Sequence, residues 1–165
     1  MIISKKLSKQ KDIRHGFFNK LGGKSIGIYK SLNCGPGSKD KKNKIAKNLK
    51  IVKNKISKKS KKIFLLHQIH SNKFVFINKN FNFNKNKIKA DAVITNQNRL
   101  PIAVLTADCV PILLYDHKNN IIAAIHAGWK GAFKGIITKV INFMLKKGCK
   151  KKTITAAIGP CIKQN

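Results

Sequence analysis

Cysteine and histidine side chains in the second half of the chain have the chemistry of a transition-metal site. Cys109 stands just before one strongly apolar segment, and His126 stands near the end of the next. Thiolate and imidazole are ligands that zinc prefers, and one Cys with two His leaves a fourth position open for catalysis. A third ligand would come from one of the remaining histidines, which are His15, His67, His70 and His117.

The two apolar segments predict a β-hairpin that places Cys109 and His126 side by side. If the turn is centred on Lys118 and Asn119, His126 becomes the diagonal neighbour of Cys109 on the same face, with roughly 7 to 8 Å between their backbones. A proline at position 111 cannot donate a ladder hydrogen bond, which favours a bulge or an edge position there. The predicted pairs are Asp116 with Ile121, Pro111 with His126 and Cys109 with Gly128.

The third ligand is less sharply specified by the sequence. His67 and His70 are three positions apart in an extended segment, so at most one of them faces the site. Polarity favours His70, because it lies at a strand break beside Ser71 and Asn72. The alternative is that the histidines are simply hydrogen-bonded and that Cys109 is an inert buried thiol.

The first half of the chain predicts a glycine-rich region followed by a helix. Residues 14–37 contain six glycines and predict short strands joined by tight turns. Residues 39–62 are mostly Lys, but apolar side chains recur at helical spacing and predict one buried stripe opposite a solvated face. That stripe consists of Ile45, Leu49, Val52 and Ile56.

Strands and a second helix are predicted from residue 63 onwards. Residues 63–77 indicate two short strands broken near His70, residues 78–89 a surface loop, and residues 90–96 a strand. An amphipathic helix follows the hairpin, Gly148 is its predicted C-terminal cap, and a last strand covers residues 153–159. The predicted stripe of this helix is Phe133, Ile136, Ile137, Val140, Ile141 and Met144.

The formal charge of +31 suggests a nucleic-acid partner, but the composition argues against one. Only Arg14 and Arg99 among the 36 basic residues are arginines, and arginine is the side chain that best reads base edges. The excess of Lys, Asn and Ile is typical of an AT-rich genome. A Lys-rich nucleic-acid-binding protein is therefore kept only as an alternative.

Length and apolar content predict a single domain over residues 1–165. The chain shows neither a signal peptide nor an apolar segment of the roughly 20 residues needed to cross a bilayer, so we expect a cytoplasmic protein without a membrane partner. Its four cysteines form no CxxC pair and are expected to be free thiols. The oligomeric state does not follow from the sequence.

Five ordered motifs resemble those of the YfiH-like family, also called the laccase-domain or multicopper polyphenol oxidase family. It includes bacterial purine nucleoside phosphorylases and the peptidoglycan editing factor. A sixth segment, GFFNKLGGKSIGIYKSLNCG, is similar to the family's opening motif. The five motifs are QIH (68–70), ADAVIT (90–95), TADCVPILLYD (106–116), HAGWKG (126–131) and IGPCI (158–162).

The resemblance implies a mixed α/β fold with sheets and flanking helices in α/β/β/α layers, related to toxin deamidases. It implies a metal held by His70, Cys109 and His126, with zinc preferred over copper, because a multicopper centre needs more His than the five present. The implied reaction is phosphorolysis of adenosine, inosine, guanosine or methylthioadenosine, with adenosine deamination as a side activity. The expected partners are therefore a purine nucleoside and phosphate.

Two further residues are candidates for the reaction, and two features depart from the family pattern. Asp108 could orient a ligand or transfer a proton, and Lys20 could contact phosphate. The family commonly has Arg where this chain has Lys20, which weakens a bidentate grip. Members also continue well beyond the IGPCI motif, so we expect a fragment or truncated product that lacks the family's C-terminal portion.

An alternative function keeps the same residues. In it the protein is an amide hydrolase that edits peptidoglycan precursors, with Cys109 as the nucleophile.

Overall fold

Short strands and helices alternate along the chain in the computed structural model, which describes residues 1–83 and 88–162. The helices are α1 (Lys5–Ser8), α2 (Lys42–Ile56), α3 (Trp129–Phe133) and α4 (Ile136–Lys146), with a 3-10 turn at Gly27–Tyr29. The strands are β1 (Phe64–Leu65), β2 (Phe74–Ile77), β3 (Ala92–Thr95), β4 (Ile102–Ala103), β5 (Val110–Asp116), β6 (Ile121–Ala127) and β7 (Ile154–Ile158).

A mixed sheet in the order β2-β3-β6-β5-β7 forms the centre of the described structure. β2 and β3 are parallel, and the remaining neighbours are antiparallel. The side chains of β3 are buried throughout, as expected for a strand with neighbours on both sides and packing on both faces. β1 and β4 pair in parallel as a separate small sheet, and the predicted mixed α/β class is confirmed.

Helix α4 covers one face of the central sheet. Its buried residues Ile136, Val140 and Met144 pack on strand residues such as Leu114 and Ile125. The predicted cap is confirmed, because Gly148 has a φ of 88° and its N–H donates to the carbonyl of Leu145.

The predicted start of that helix is wrong. Gly135 takes a left-handed φ of 74° and separates α4 from the short α3. As a result Phe133, which was predicted in the buried stripe, is 90% exposed. Strand β6 ends at Ala127, and Trp129 begins α3.

Helix α2 confirms the Lys-rich amphipathic segment. Ile45 and Val52 are buried, and Leu49 and Ile56 are partly buried. The apolar pattern gave no sign that Asn48 is fully buried as well. Its amide group donates to Ser25, Ser31 and Asn33 and accepts from the N–H of Lys24.

The short strands predicted over residues 14–37 are absent from the structure, which has turns and the 3-10 turn there. Backbone N–H groups of this segment bond within turns or to side chains: Ser31 and Leu32 both donate to the carbonyl of Lys20. Gly23 donates to Ser31 Oγ, and Lys24 donates to Asn48 Oδ1. An isolated bridge between Ile2 and Phe17 is the segment's β-type pairing among the described residues.

The face of the central sheet opposite α4 is directed toward α1, α2 and the small β1–β4 sheet. Leu113 and Ile122 of this face line a cavity of about 670 Å³, together with Val52 of α2 and Ile102 of β4.

The structure describes only part of the predicted surface loop at 78–89, because residues 84–87 lie outside the described residues. Within the described part, Phe81 packs edge-on against Phe64. Among the described residues, no helix combines the length and apolar character needed to span a bilayer.

Candidate metal centre

The β5–β6 hairpin has the predicted register. Asp116 pairs with Ile121, and Pro111 pairs with His126. Directly paired residues share a face of the sheet, so the side chains of Pro111 and His126 both lie on the face opposite α4. Cys109 immediately precedes β5 and comes to lie beside His126.

His70 reaches the hairpin from a bend between β1 and β2. It has a φ of 55°, a left-handed conformation that few residues other than glycine adopt. In this bend the backbone N–H groups of Ile69, His70 and Ser71 all point to the carboxylate of Asp91, at 3.2, 2.9 and 2.6 Å. Successive N–H groups arranged in this way form a nest for an anion, and the anion here is the Asp91 side chain.

The three predicted ligands meet at one place. One nitrogen from each of His70 and His126 and the sulfur of Cys109 all lie within 4.8 Å of one another. The two imidazole rings are nearly perpendicular, with centroids 4.8 Å apart. His126 is 3% exposed, Cys109 is partly buried and His70 is exposed, so the cluster lies at the surface with its sheet side closed.

Asp91 orients the buried histidine of this cluster. His126 Nδ1 lies 2.9 Å from Asp91 Oδ1, and an ionised carboxylate can only accept, so we assign the proton to Nδ1. Nε2 then keeps its lone pair for a metal. Burial favours protonation of Asp91, but hydrogen bonds from His126, Ser71 and the backbone of His70 outweigh it and hold the pKa of the carboxyl below its ordinary value.

Gly128 leaves the room in which the three ligands meet. A Cβ at this position would lie 2.9 Å from Cδ2 of His70 and 3.2 Å from Sγ of Cys109. Its φ of −70° suits any residue, so the requirement for glycine is one of space. The absence of a side chain at Gly128 leaves space for three ligands around a small ion, and the donor set of one Cys and two His fits zinc.

Gln68 ties the segment of His70 to the segment that leads to Cys109. Its side-chain NH₂ donates to the carbonyl of Leu105 at 2.7 Å, and its Oε1 accepts from the N–H of Leu105 at 2.7 Å. This reciprocal pair works as a backbone-like bridge between two loops that are far apart in sequence. It fixes the separation of two of the three ligands.

The remaining histidines are engaged elsewhere or point away. His15 Nε2 accepts from the N–H of Ser4, and His117 Nδ1 lies 3.2 Å from the carbonyl of Thr153. His67 is exposed and bridges through its backbone to Lys89. Of the four candidates for a third ligand, His70 is therefore the one that joins Cys109 and His126.

The two further candidates, Asp108 and Lys20, are not among the residues that meet in the cluster. Asp108 is exposed, and its backbone carbonyl accepts from Ile162, while its side chain makes no hydrogen bond to any described residue. Lys20 is exposed and lines the cavity described above together with Arg14 and Asn33. Their roles as proton donor and phosphate contact stay predictions.

Three residues that support the cluster were not assigned a role from the sequence. Asp91, Gln68 and Gly128 each lie inside a quoted motif, but their function depends on partners in other motifs. A signal for Asp91 was available, because the chain has only five acidic residues and this one opens a buried strand. Buried carboxylates in a Lys-rich chain call for a specific partner.

Comparisons with known proteins identify relatives of this chain. The family model described as multi-copper polyphenol oxidoreductase laccase matches residues 14–165. A Corynebacterium glutamicum protein named purine nucleoside phosphorylase is 36% identical over 151 residues, which are 92% of this chain and 61% of the relative. One of the same name from Bacteroides thetaiotaomicron is 32% identical over 163 residues, 94% of this chain and 60% of the relative.

The structural comparison gives the same answer. The crystal structure of Bacillus licheniformis YfiH has a TM-score of 0.78 and 29% identity, with 87% of this chain and 56% of that chain covered. The match to the two named relatives spans about 60% of their length. With its motifs, its fold and nearly its whole length matched, the chain belongs to the YfiH-like family of multi-copper polyphenol oxidoreductase laccase proteins.

Proposed function

We propose that this chain carries the site of a purine nucleoside phosphorylase in which His70, Cys109 and His126 hold a zinc ion. The observation that carries the proposal is the meeting of these three donors within 4.8 Å around the small Gly128. The names of the relatives support the reaction class. The proposed substrates are phosphate and adenosine, inosine, guanosine or methylthioadenosine.

The residues around the cluster divide the work of such a site. The Cys109 thiolate and two neutral imidazoles would hold the metal, which supplies a Lewis acid when bound. Asp91 keeps His126 in the tautomer that presents Nε2, and it also fixes the bend that carries His70. His70 is the exposed ligand, so substrate would approach from its side. Lys20 is the proposed phosphate contact, and Asp108 a proposed proton carrier.

A combined measurement of metal and activity tests this proposal. Purified protein should contain about one zinc per chain and release adenine from adenosine only when phosphate is present. The Cys109→Ser variant should lose zinc and activity, whereas Cys149→Ser, the same change at a buried thiol far along the chain, should keep both. Adenosine turned over to inosine without phosphate would reveal the proposed deaminase side activity. Full phosphorolysis by metal-free protein would contradict the proposal.

A second candidate function follows from the same geometry. The Cys109 sulfur lies within 4.8 Å of a nitrogen of each histidine, which also suits a thiolate nucleophile with an imidazole base. This enzyme would be an amide hydrolase acting on peptidoglycan precursors. Metal-free protein that hydrolyses such an amide, and that loses activity when Cys109 is alkylated, would favour it over the phosphorylase.

A further inference from the structure

An exposed tryptophan stands beside the candidate metal centre. Trp129 is the single tryptophan of the chain, and it is 75% exposed. Tryptophan normally buries most of its ring, because the indole has the largest apolar surface of any side chain. An exposed ring on the residue that follows Gly128 is therefore a candidate binding surface.

The backbone of Trp129 is fixed close to the three donors. It follows Gly128, whose Cα faces His70 and Cys109. Helix α3 is also held against the bend of His70 at two points. A Cβ on Gly131 would lie 2.6 Å from the carbonyl of Ser71, and Asn72 donates to the carbonyl of Lys134 at 2.7 Å. Trp129 therefore stays at the rim of the cluster.

The electrostatic surroundings of the indole suit an aromatic ligand next to an anion. Lys130 Nζ lies 5.3 Å from the centroid of the Trp129 ring. A cation at this distance covers one face of the ring and leaves the other face open. The same ammonium places a positive charge beside the exposed ring.

Resting on the proposed function, we propose that the indole of Trp129 stacks on the purine base of the nucleoside and so contributes to substrate affinity. Every purine offers a flat π-face, and stacking on an aromatic side chain tolerates changes of base. The ring would hold the base at the rim, and the sugar bond would then lie nearer the three donors. Trp129 is thus a binding residue that accepts several purine nucleosides.

Fluorescence gives a direct test, because all indole emission of this chain comes from Trp129. Titration of the zinc-loaded protein with adenosine, without phosphate and therefore without phosphorolysis, should quench this emission in a saturable manner; any inosine formed by the proposed deaminase side activity offers the same purine face to the indole. Ribose at the same concentrations is the control and should leave the emission unchanged. An emission that adenosine does not change, or that ribose changes equally, would overturn the proposal.

Variants of α3 separate stacking from general exposure of apolar surface. Trp129→Ala should raise KM for adenosine about tenfold or more and leave kcat and zinc content nearly unchanged. Trp129→Phe should keep most of the affinity, since it retains an aromatic face. Phe133→Ala is the matched control, because Phe133 is still more exposed and lies one helical turn farther from Gly128. An unchanged KM in Trp129→Ala, or an equal rise in Phe133→Ala, contradicts stacking by Trp129.

These outcomes can be told apart from failure of the proposed function. Saturable quenching by adenosine without any phosphorolysis would leave the stacking site standing and remove the phosphorylase. Phosphorolysis without quenching, and with a KM that substitution of Trp129 does not change, would support the phosphorylase and contradict stacking by Trp129. The fluorescence titration needs no substituted protein, so poor folding of a variant does not affect its result.

Discussion

Two fully buried aspartates lie at opposite ends of the β5–β6 hairpin, and they serve different purposes. Asp91, at the open end, accepts from His126, from Ser71 Oγ and from backbone N–H groups of the His70 bend. Asp116, at the turn end, accepts from the side chain of Thr153 and from two donors of Asn119. Both carboxylates have a lowered pKa because hydrogen bonds outweigh the effect of burial.

The difference lies in what each aspartate organises. Asp116 closes a turn of its own hairpin and links it to Thr153, the residue just before β7, which is a purely structural task. Asp91 organises two of the three proposed metal ligands, which come from segments more than 50 residues apart in the chain. The same hydrogen-bond chemistry thus stabilises the fold at one end and prepares a site at the other.

Removing each carboxylate should produce the largest contrast. We expect Asp91→Ala to weaken zinc binding by about 10- to 100-fold, because His126 loses its orienting acceptor and the His70 bend loses its anion. Asp116→Ala should leave zinc affinity unchanged and lower the free energy of unfolding by about 1–3 kcal/mol. Competition with a chromophoric chelator and urea unfolding measure the two quantities. Equal zinc affinities in the two variants would contradict the proposal that Asp91, but not Asp116, organises the metal ligands.

Two glycines provide a second and smaller contrast: Gly128 at the open end of the hairpin, and Gly148, which lies beside Asn119 at the turn end. Gly128→Ala introduces a methyl group 3.2 Å from the Cys109 sulfur and should weaken zinc binding about tenfold. Gly148→Ala meets only ordinary contacts but must hold a φ of 88°, so it should lower stability by about 1–2 kcal/mol. Chelator competition measures the zinc affinity of Gly128→Ala, and urea unfolding measures the stability of Gly148→Ala. Normal zinc binding by Gly128→Ala would mean that the ligands do not close around this residue.

Sequence reasoning succeeded where the relevant spacing is local. The register of the hairpin follows from a turn of known length and from alternation of apolar residues, so the neighbourhood of Cys109 and His126 was predictable. His70 was favoured only through its polar neighbours and the family resemblance. The contacts of Asp91 and Gln68 join segments 20 or more residues apart, and no local pattern encodes them.

The wrong predictions have equally specific causes. Helical spacing continued smoothly through Gly135, but the left-handed backbone there ends one helix and starts another, which leaves Phe133 exposed. The glycine-rich segment suggested strands, but its N–H groups donate to carbonyls within turns, such as that of Lys20, and to the side chains of Ser31 and Asn48. In the helix a single backbone angle overrides the periodic pattern, and in the glycine-rich segment turn and side-chain acceptors replace strand pairing.

Acidification should give the smallest effect and should isolate the structural aspartate. The folded pKa of Asp116 lies below its ordinary value of 3.8, so its contribution to stability is complete above that value and is lost as pH falls through the folded pKa. The Asp116→Asn variant cannot ionise. In metal-free protein, the gap in unfolding free energy between the wild type and Asp116→Asn should therefore narrow between about pH 6 and pH 3. Urea unfolding in high salt, which screens repulsion among the lysines, measures that gap. A gap that widens on acidification would mean that the carboxylate is destabilised by burial, and that the hydrogen bonds from Thr153 and Asn119 do not compensate for it.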